Sequence, residues 1–329
     1  MDIYIKSYNR AYLLHRTIAS IYHYLNDFEG RIVVLDDGTP EKYLDKISEL
    51  FPDVQVVKSP YYKQKSKDIS LNKVPEKVIP ANFWRDEVLK GSEYFILLED
   101  DMWFPQPINY KDFTKDVYEL KMDMIKFLWM KNSKLISDKI IHKTEYFNIV
   151  QPKVITKNPF LFDAIFRTNK FKLGSLAMCL FNHKLELLKY YHLYMVAGGV
   201  FSKRYYENTW ENSQDKVDEL ANISKVLNKV NDYKFGNTNN EILKTTIKFT
   251  ASEIQKEKLG NSLDVFKFNY ILNEAWYNNQ SVEFLDFTNE ISDEWIKNCC
   301  TKSDVKFEVW QNWYADIKKN YEFLGCNFD

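Results

Sequence analysis

The sequence predicts an α/β protein in which helices flank a mixed, mainly parallel sheet and a helical elaboration follows at the C-terminal end. Three β-branched and apolar runs, at 2–6, 31–35 and 54–57, are separated by segments with helical spacing. This order of strand, helix, strand, helix and strand implies right-handed crossovers and parallel pairing. A fourth run, at 94–98, is continuously apolar and fits an interior strand covered on both faces.

Each of the first two predicted strands ends in a polar turn. The first strand is followed by the residues SYNR at 7–10, and a helix over 11–25 is predicted from apolar residues at helical spacing. The second strand is followed by DDGTP at 36–40, and a second helix is predicted near 43–51, before Pro52. The strand at 54–57 completes this half of the sheet.

A lysine-rich stretch at 61–73 interrupts the pattern, and we interpret it as a mobile, solvated loop, with phosphate binding by its lysines as the alternative. A short helix at 82–90 leads from it into the apolar strand at 94–98. Segment 156–170 is predicted to be irregular, as active-site flaps often are. The remaining predictions are helices at 110–120, 184–191, 210–230 and 240–259, and strands at 124–130 and 173–181.

Composition and charge restrict the class of protein. The 329 residues are 45% apolar and 28% charged, which is typical of a globular chain. A net charge of −1 gives no overall attraction to nucleic acid, which argues against a nucleic-acid partner. The sequence contains no apolar run long enough to span a bilayer, four cysteines without a CxxC pair, and no leader-like start. We therefore expect a cytoplasmic protein, with peripheral association at the inner membrane face as the alternative.

Three consecutive acids, Glu99, Asp100 and Asp101, follow the strand at 94–98. Ligands of open α/β sheets bind beyond the carboxyl ends of such strands. Carboxylates this close raise one another's pKa unless a cation or donors hold them, and hard oxygen ligands favour Mg²⁺ or Mn²⁺ over Zn²⁺. The alternative is an acidic loop that is simply solvated.

The order of the three polar strand ends resembles that of GT-A fold nucleotide-sugar glycosyltransferases, and glycosyltransferase family 2 in particular. The segments that carry this resemblance are IKSYNRAYLLHRTIASI, IVVLDDGTP and YFILLEDDMWF. It implies a Rossmann-like GT-A domain over 1–235, with a nucleotide-binding half at about 1–105 and an acceptor half after it, then a mainly helical elaboration over 236–329. Glu99 stands where the first aspartate of the family's DxD motif usually lies.

The resemblance also implies roles for individual residues at the donor site. Ser7, Tyr8 and Arg10 would surround the uracil and ribose of a UDP-sugar, and Asp36 or Asp37 would accept from the base or the ribose. Asn82 and Arg85 are the nearest counterparts of the family's Arg-Asn pair.

A diphosphate needs a bridging cation, and Asp101, the last acid, is the expected ligand of Mn²⁺ or Mg²⁺. Glu99 and Asp100 would hold ribose hydroxyls or metal-bound water.

The expected activity is transfer of a hexosyl or related group from the nucleotide-sugar to a hydroxyl of a glycan or lipid-linked saccharide. An inverting reaction needs a carboxylate base, for which the segment YYENTWENSQD offers Glu211 first and Glu207 and Asp215 as alternatives. Trp210 beside them is a candidate sugar platform. Other functions left open are nucleotidyl transfer, glycosylation of a modified DNA base, and glycan binding by an inactive homologue.

Overall fold

The computed structural model describes residues 1–175, 183–251, 263–278, 285–303 and 305–328. Its strands are β1 (Asp2–Ser7), β2 (Leu25–Asn26), β3 (Ile32–Asp36), β4 (Gln55–Lys58), β5 (Tyr94–Glu99), β6 (Met102–Trp103), β7 (Ile108–Asn109), β8 (Met124–Lys126), β9 (Lys139–Lys143), β10 (Phe147–Gln151), β11 (Gly199–Ser202), β12 (Phe235–Thr238) and β13 (Lys244–Thr245).

The α-helices of the same ranges are α1 (Ala11–Tyr24), α2 (Glu41–Leu50), α3 (Tyr62–Ser70), α4 (Ala81–Leu89), α5 (Tyr110–Leu120), α6 (Pro159–Phe162), α7 (His183–Leu188), α8 (Lys203–Trp210), α9 (Glu219–Leu227), α10 (Val265–Tyr277), α11 (Asp293–Thr301) and α12 (Phe307–Leu324). Within the described ranges, no helix is both long enough and apolar enough to cross a bilayer.

Among the described residues, nine strands form one mixed sheet in the order β4-β3-β1-β5-β11-β8-β12-β10-β9. The first four strands pair in parallel, as the alternation of strands and helices predicts. Strand β11 then runs antiparallel to both β5 and β8, and the far edge at β10 and β9 is also antiparallel. The predicted fold class, a mixed and mainly parallel sheet flanked by helices, is confirmed.

The register of the parallel half brings three polar strand ends to one edge of the sheet. Ser7 of β1 pairs with Asp36 of β3, and Lys6 pairs with Glu99 of β5. The apolar parts of these strands are buried on both faces, and helix α1 packs its apolar stripe, including Leu14 and Ile18, into the same core. Burial of the strands therefore fixes the positions of the polar residues that follow them.

In the described residues after 263, the helices α10, α11 and α12 predominate, and α10 packs against the N-terminal part of the chain. Asn273 of α10 donates to the backbone carbonyl of Asn9 at 3.0 Å, and the Tyr12 hydroxyl donates to Asn269 at 3.0 Å. Strand β12 lies inside the main sheet, so the sheet continues past the predicted boundary at residue 235. The helices that follow brace the turn after β1.

Two predicted segments have a different structure because long-range contacts outweigh their local pattern. The lysine-rich stretch at 61–73 is largely helix α3, and its Lys65 is buried against Asp37. The predicted helix over 210–230 is instead two helices, α8 and α9, joined by a loop.

Three other predictions also need correction or lie partly outside the described residues. Residues 240–251 are not helical, because β13 pairs there with β6; residues 252–259 lie outside the described residues. The predicted irregular segment 156–170 contains α6 and a π-helical turn. The predicted strand at 173–181 begins with helical residues and otherwise lies outside the described ranges.

Candidate active site

A cavity of about 760 Å³ opens at the carboxyl ends of β1, β3 and β5. Its lining includes the turn after β1, the acids at the end of β5, the segment 75–80, parts of the C-terminal region, and single residues from other segments such as Asp37, Met130 and Glu219. Predicted site residues that line it are Ser7, Tyr8, Arg10, Asp37, Glu99, Asp100 and Asp101. The convergence expected from the sequence is therefore observed for these seven residues.

The turn after β1 delivers Arg10 to the acids that follow β5. Asn9 adopts a left-handed conformation with φ of 53°, and its backbone N–H donates to Thr39 Oγ1 at 2.9 Å. Arg10 then donates to Asp101 Oδ2 at 2.7 Å and also contacts Asp100 Oδ1. The SYNR and EDD segments, 90 residues apart in the chain, thus form one charge network.

Two cations pair with the three acids of this network. Lys6 Nζ lies 2.9 Å from Glu99 Oε1, while Arg10 is shared between Asp100 and Asp101. Burial raises the pKa of Asp100 to about 7, although Arg10 opposes the shift. Burial also raises the pKa of Asp101, again against the attraction of Arg10. With all three acids ionised, the cluster would carry one negative charge more than Lys6 and Arg10 neutralise, and the raised pKa values show that this extra charge is disfavoured until a further cation binds.

Asp101 is the acid whose bonding fits a metal ion. Its Oδ1 is buried and receives no hydrogen bond from any other described residue. In the described part of the chain, no group of three His, Cys, Asp or Glu side chains could hold a metal alone. One carboxylate ligand fits the way Mg²⁺ is usually held, by one or two carboxylates together with substrate phosphates and water.

The DDGT turn gives its two aspartates different roles. Asp36 accepts from the backbone N–H groups of Gly38 and Thr39 at 2.9 and 2.8 Å, and from the Thr39 hydroxyl at 2.6 Å. It is fully buried and is not part of the cavity lining. Gly38 has φ of +145°, and a Cβ there would lie 2.7 Å from the Cβ of Lys65. Asp36 therefore closes the turn that presents Asp37 to the cavity.

Asp37 is a buried carboxylate facing the cavity beside a buried lysine. Lys65 Nζ lies 2.5 Å from Asp37 Oδ2, and the Ser59 hydroxyl donates to Oδ1 at 2.5 Å. Burial raises the pKa of Asp37 to about 6, although Lys65 and Ser59 favour its charged form. Lys65 also contacts the carbonyl of Val78, which ties the 75–80 segment of the cavity wall to the same pair.

The residues predicted as the Arg-Asn pair lie outside the cavity lining. Arg85 pairs with Asp86 at 2.6 Å and donates to the carbonyl of Trp210, while the Asn82 side chain accepts from Ser213. Trp84, between them in sequence, lines the cavity instead and lies 4.8 Å from Lys6 Nζ. All three residues lie on helix α4, where neighbouring side chains point in different directions, so Trp84 faces the cavity while Asn82 and Arg85 do not.

None of the three predicted bases lines the cavity. Glu207 and Glu211 are exposed on and just after α8. Asp215 accepts from the Tyr61 hydroxyl at 2.8 Å and from the backbone N–H of Asn82 at 3.0 Å, so it joins two surface segments. Trp210 is buried in the core and also lies outside the lining, so it has no surface for a sugar.

Glu219 is the carboxylate that lines the cavity on this side, and the sequence reasoning missed it. It is the first residue of α9, where Asp218 caps the helix by accepting from Ala221 N at 2.9 Å. The Tyr191 hydroxyl donates to Glu219 Oε2. The prediction of one continuous helix over 210–230 hid this helix start, although the pair Asp218-Glu219 is a recognisable N-terminal signal.

Helix α12 near the C-terminal end of the chain also contributes to the cavity wall. Trp313, Ile317 and Tyr321 recur every four residues and all contribute to the lining. Burial raises the pKa of the Tyr321 hydroxyl, and the charges of Asp101, Glu99 and Glu219 add to the shift. Tyr321 therefore lies within electrostatic range of both the acid cluster and Glu219.

Comparisons with known proteins found similarity among solved structures only. No protein-family model matches the sequence, and no curated protein matches it. TarS of S. aureus is 11% identical, with 96% of this chain and 55% of that chain covered and a TM-score of 0.31. This chain therefore spans about half the length of that protein.

Two further solved structures have similarly low sequence identities and TM-scores. Glucosyl-3-phosphoglycerate synthase of Mycobacterium tuberculosis, in complex with Mn²⁺, UDP and phosphoglyceric acid, is 14% identical over 63% of this chain and 56% of that chain, with a TM-score of 0.31. The bifunctional glycosyltransferase WbbM is 9% identical over 69% and 37%, with a TM-score of 0.36. Because the identities and TM-scores are this low, we assign roles to individual residues only from the contacts observed within this chain.

Proposed function

We propose that the protein is a glycosyltransferase that moves a sugar from a nucleoside diphosphate sugar, a UDP-sugar, to a hydroxyl of a glycan or lipid-linked saccharide. The observation that carries the proposal is the convergence of SYNR, DDGT and EDD on one cavity, where three acids share only two cationic partners, Lys6 and Arg10. A further carboxylate, Glu219, also lines that cavity. The acid cluster suits a cation that meets the diphosphate leaving group, and a separate carboxylate suits deprotonation of a hydroxyl acceptor.

Asp37 and Tyr8 form the proposed base end of the donor site. A charged Asp37 accepts the imide N–H of uracil, and such charge-assisted bonds are about twice as strong as neutral ones. Cytosine presents an acceptor at the same ring position, so the carboxylate selects uracil over cytosine. Ser7 and Tyr8 line the cavity beside Asp37, and Tyr8 N donates to Asp100 Oδ2 at 3.1 Å, which fixes the turn.

The proposed cation is Mn²⁺ or Mg²⁺, held by Asp101 Oδ1. When bound, the cation neutralises charge on the leaving diphosphate. Arg10 holds Asp101 through the other oxygen and keeps Oδ1 directed away from itself, while Lys6 holds Glu99. Lys6 and Arg10 also reduce the repulsion among the three acids when no nucleotide-sugar is bound.

Glu219 is the proposed base, in place of Glu207, Glu211 and Asp215. The acceptor oxygen bonds to the anomeric carbon as the bond from that carbon to the diphosphate oxygen breaks, and its electron pair leaves with UDP. The acceptor proton passes to Glu219, whose carboxylate is oriented by the Tyr191 hydroxyl. Helix α12 covers the reacting atoms with Trp313 and Tyr321, which helps to exclude water.

Calorimetric titration with UDP, with and without Mn²⁺, tests the donor site directly. The native protein should bind UDP more tightly with Mn²⁺, and Asp101→Asn should lose that difference while it remains folded. Asp53→Asn, which changes an exposed acid outside the cavity lining, is the matched control. UDP binding that is indifferent to Mn²⁺ in the native protein would contradict the proposed metal.

Slow hydrolysis of UDP-sugars distinguishes a transferase from a glycan-binding homologue. A panel of UDP-sugars and GDP-sugars with Mn²⁺ should raise the melting temperature for the true donor, because binding stabilises the folded state by mass action. That donor should also be hydrolysed slowly without an acceptor. Binding of a glycan with no hydrolysis of any donor would favour the binding module.

A further inference from the structure

The sheet edge opposite the nucleotide-binding half has an exposed face that is both apolar and basic. We infer that this face, formed by β9 and segment 153–172 and here called the basic edge, docks on a membrane surface that carries anionic lipids. The inference concerns where the protein works and does not depend on the sugar that it transfers.

The apolar component of the basic edge is concentrated in a short part of the chain. Thirteen large apolar side chains are exposed among the described residues, and five of them fall within residues 140–161. Ile141 and Phe160 are each 58% exposed. The five are Ile140, Ile141, Ile155, Phe160 and Leu161. The five are close in the sequence, on the edge strand β9 and in the segment after β10, and exposed apolar residues that share a surface mark interaction sites more often than single ones do.

The charge of the basic edge is strongly positive. Residues 139–172 include seven Lys or Arg and two Asp or Glu, a local net charge of 7 − 2 = +5 in a chain whose total is −1. The basic residues are Lys139, Lys143, Lys153, Lys157, Arg167, Lys170 and Lys172. Basic residues interleaved with exposed apolar ones are the pattern that interfacial segments use on anionic lipid.

The geometry of β9 favours a lipid surface over a further strand as the occupant. The pairing of β9 with β10 shifts register between Ile149 and Val150, so Ile141 is an extra residue in the edge strand. Such bulges, together with lysines at both ends of the strand, are devices that prevent edge-to-edge pairing. A second chain would also bring its own positive edge against this one, whereas anionic headgroups neutralise it.

The basic edge lies within reach of the cavity. Asp138, immediately before β9, contacts His192 and accepts from the backbone N–H of Lys153 at 2.9 Å, which joins the two parts of the face. Met130 lines the cavity, and Lys139 follows it nine positions later in the chain. The face therefore begins within about 30 Å of the cavity. On the proposed function, a lipid-linked acceptor held at the bilayer would be within reach.

Co-sedimentation of the full chain with vesicles tests the inference. Vesicles of phosphatidylcholine with phosphatidylglycerol should bind the protein at low salt, and pure phosphatidylcholine vesicles should not. The double variant Lys153→Ala with Lys157→Ala should weaken binding about 25-fold, since each basic residue near an anionic surface contributes about fivefold. Lys111→Ala with Lys297→Ala, two exposed lysines elsewhere, is the charge control and should bind normally.

The apolar contribution is tested separately with Ile141→Ser and Phe160→Ser. This pair should weaken vesicle binding and leave UDP binding unchanged, while Leu50→Ser with Leu71→Ser, also exposed, should do neither. Absence of binding to the anionic vesicles, or equal losses in the control variants, would overturn the inference. A dimer by light scattering that the Ile141 and Phe160 changes dissociate would assign the face to a second copy instead and would also overturn it. Because UDP binding is measured in parallel, failure of the docking face and failure of the donor site are distinguishable.

Discussion

The pH dependence of nucleotide selectivity should report directly on Asp37. Burial raises the pKa of this carboxyl to about 6, so it is charged at pH 7.5 and mostly protonated at pH 5. A hydrogen bond to a charged partner contributes about 2 kcal/mol, or roughly 30-fold in affinity. We therefore expect UDP to bind roughly 30-fold more tightly than CDP at pH 7.5. This preference should fall about tenfold for each pH unit below 6.

The contribution of Asp37 to the free energy of unfolding should rise as the pH falls, whereas its contribution to the preference for UDP should fall. A loss of selectivity at low pH is therefore not explained by unfolding through Asp37. The folded-state pKa of Asp37, about 6, lies above the value of 3.8 for an unperturbed aspartate. Protonation therefore favours the folded state, and this group adds about 3 kcal/mol as the pH falls from above 6 to below 4. Urea unfolding at pH 5 and at pH 7.5 gives the change in the free energy of unfolding of the native protein between these two pH values. The same measurement on a variant that lacks Asp37 shows how much of this change the carboxyl causes.

The assay is a competition of UDP against CDP at saturating Mn²⁺, so that effects of pH on metal binding cancel in the ratio. The double variant Asp37→Asn with Lys65→Met removes both members of the buried pair and avoids leaving Lys65 as an unpaired buried charge. Its UDP to CDP ratio should be low and independent of pH. A preference that stays constant between pH 5 and 7.5 in the native protein would refute the role given to Asp37.

Three further changes test other parts of the site. Glu219→Gln should lower kcat about 10²- to 10⁴-fold with little effect on UDP binding, and Glu211→Gln, an exposed control, should leave kcat within about twofold; equal losses would contradict Glu219 as the base. Arg10→Met should destabilise the fold by about 3 to 5 kcal/mol in urea, because it leaves two buried acids without their cation; a smaller change would mean that the acids are protonated. Gly38→Ala should lower the melting temperature and weaken UDP binding, since its φ of +145° and the contact with Lys65 exclude a side chain.

The parallel half of the sheet was predictable because its signals are local. Each strand is a continuous apolar run, each is followed by polar residues, and strand pairing then places those residues together. Arg10, Asp37 and Asp101 could therefore be assigned to one site from the sequence. The opposite roles of Asp36 and Asp37 could not, because they depend on the backbone conformation of Gly38.

The part of the cavity lined by Lys65, Glu219 and Tyr321 was less predictable because these residues come from separate segments. Glu219 depends on a helix start that an apolar pattern across 210–230 conceals. Lys65 was assigned to a solvated loop, since nothing near it in sequence shows that Asp37, 28 residues away, accepts from it. Tyr321 lies more than 200 residues from Asp101, so only the folded structure reveals that they share a cavity.

The C-terminal elaboration is best understood as part of the site. Helix α10 fixes the SYNR turn through Asn273 and Asn9, and that turn in turn positions Arg10 against the acids. Helix α12 supplies Tyr321, within electrostatic range of both Asp101 and Glu219. On the proposed function, α10 and α12 therefore help to position residues around the departing diphosphate and the acceptor. Such positioning lowers the barrier because the reacting groups need no rearrangement after the substrates bind.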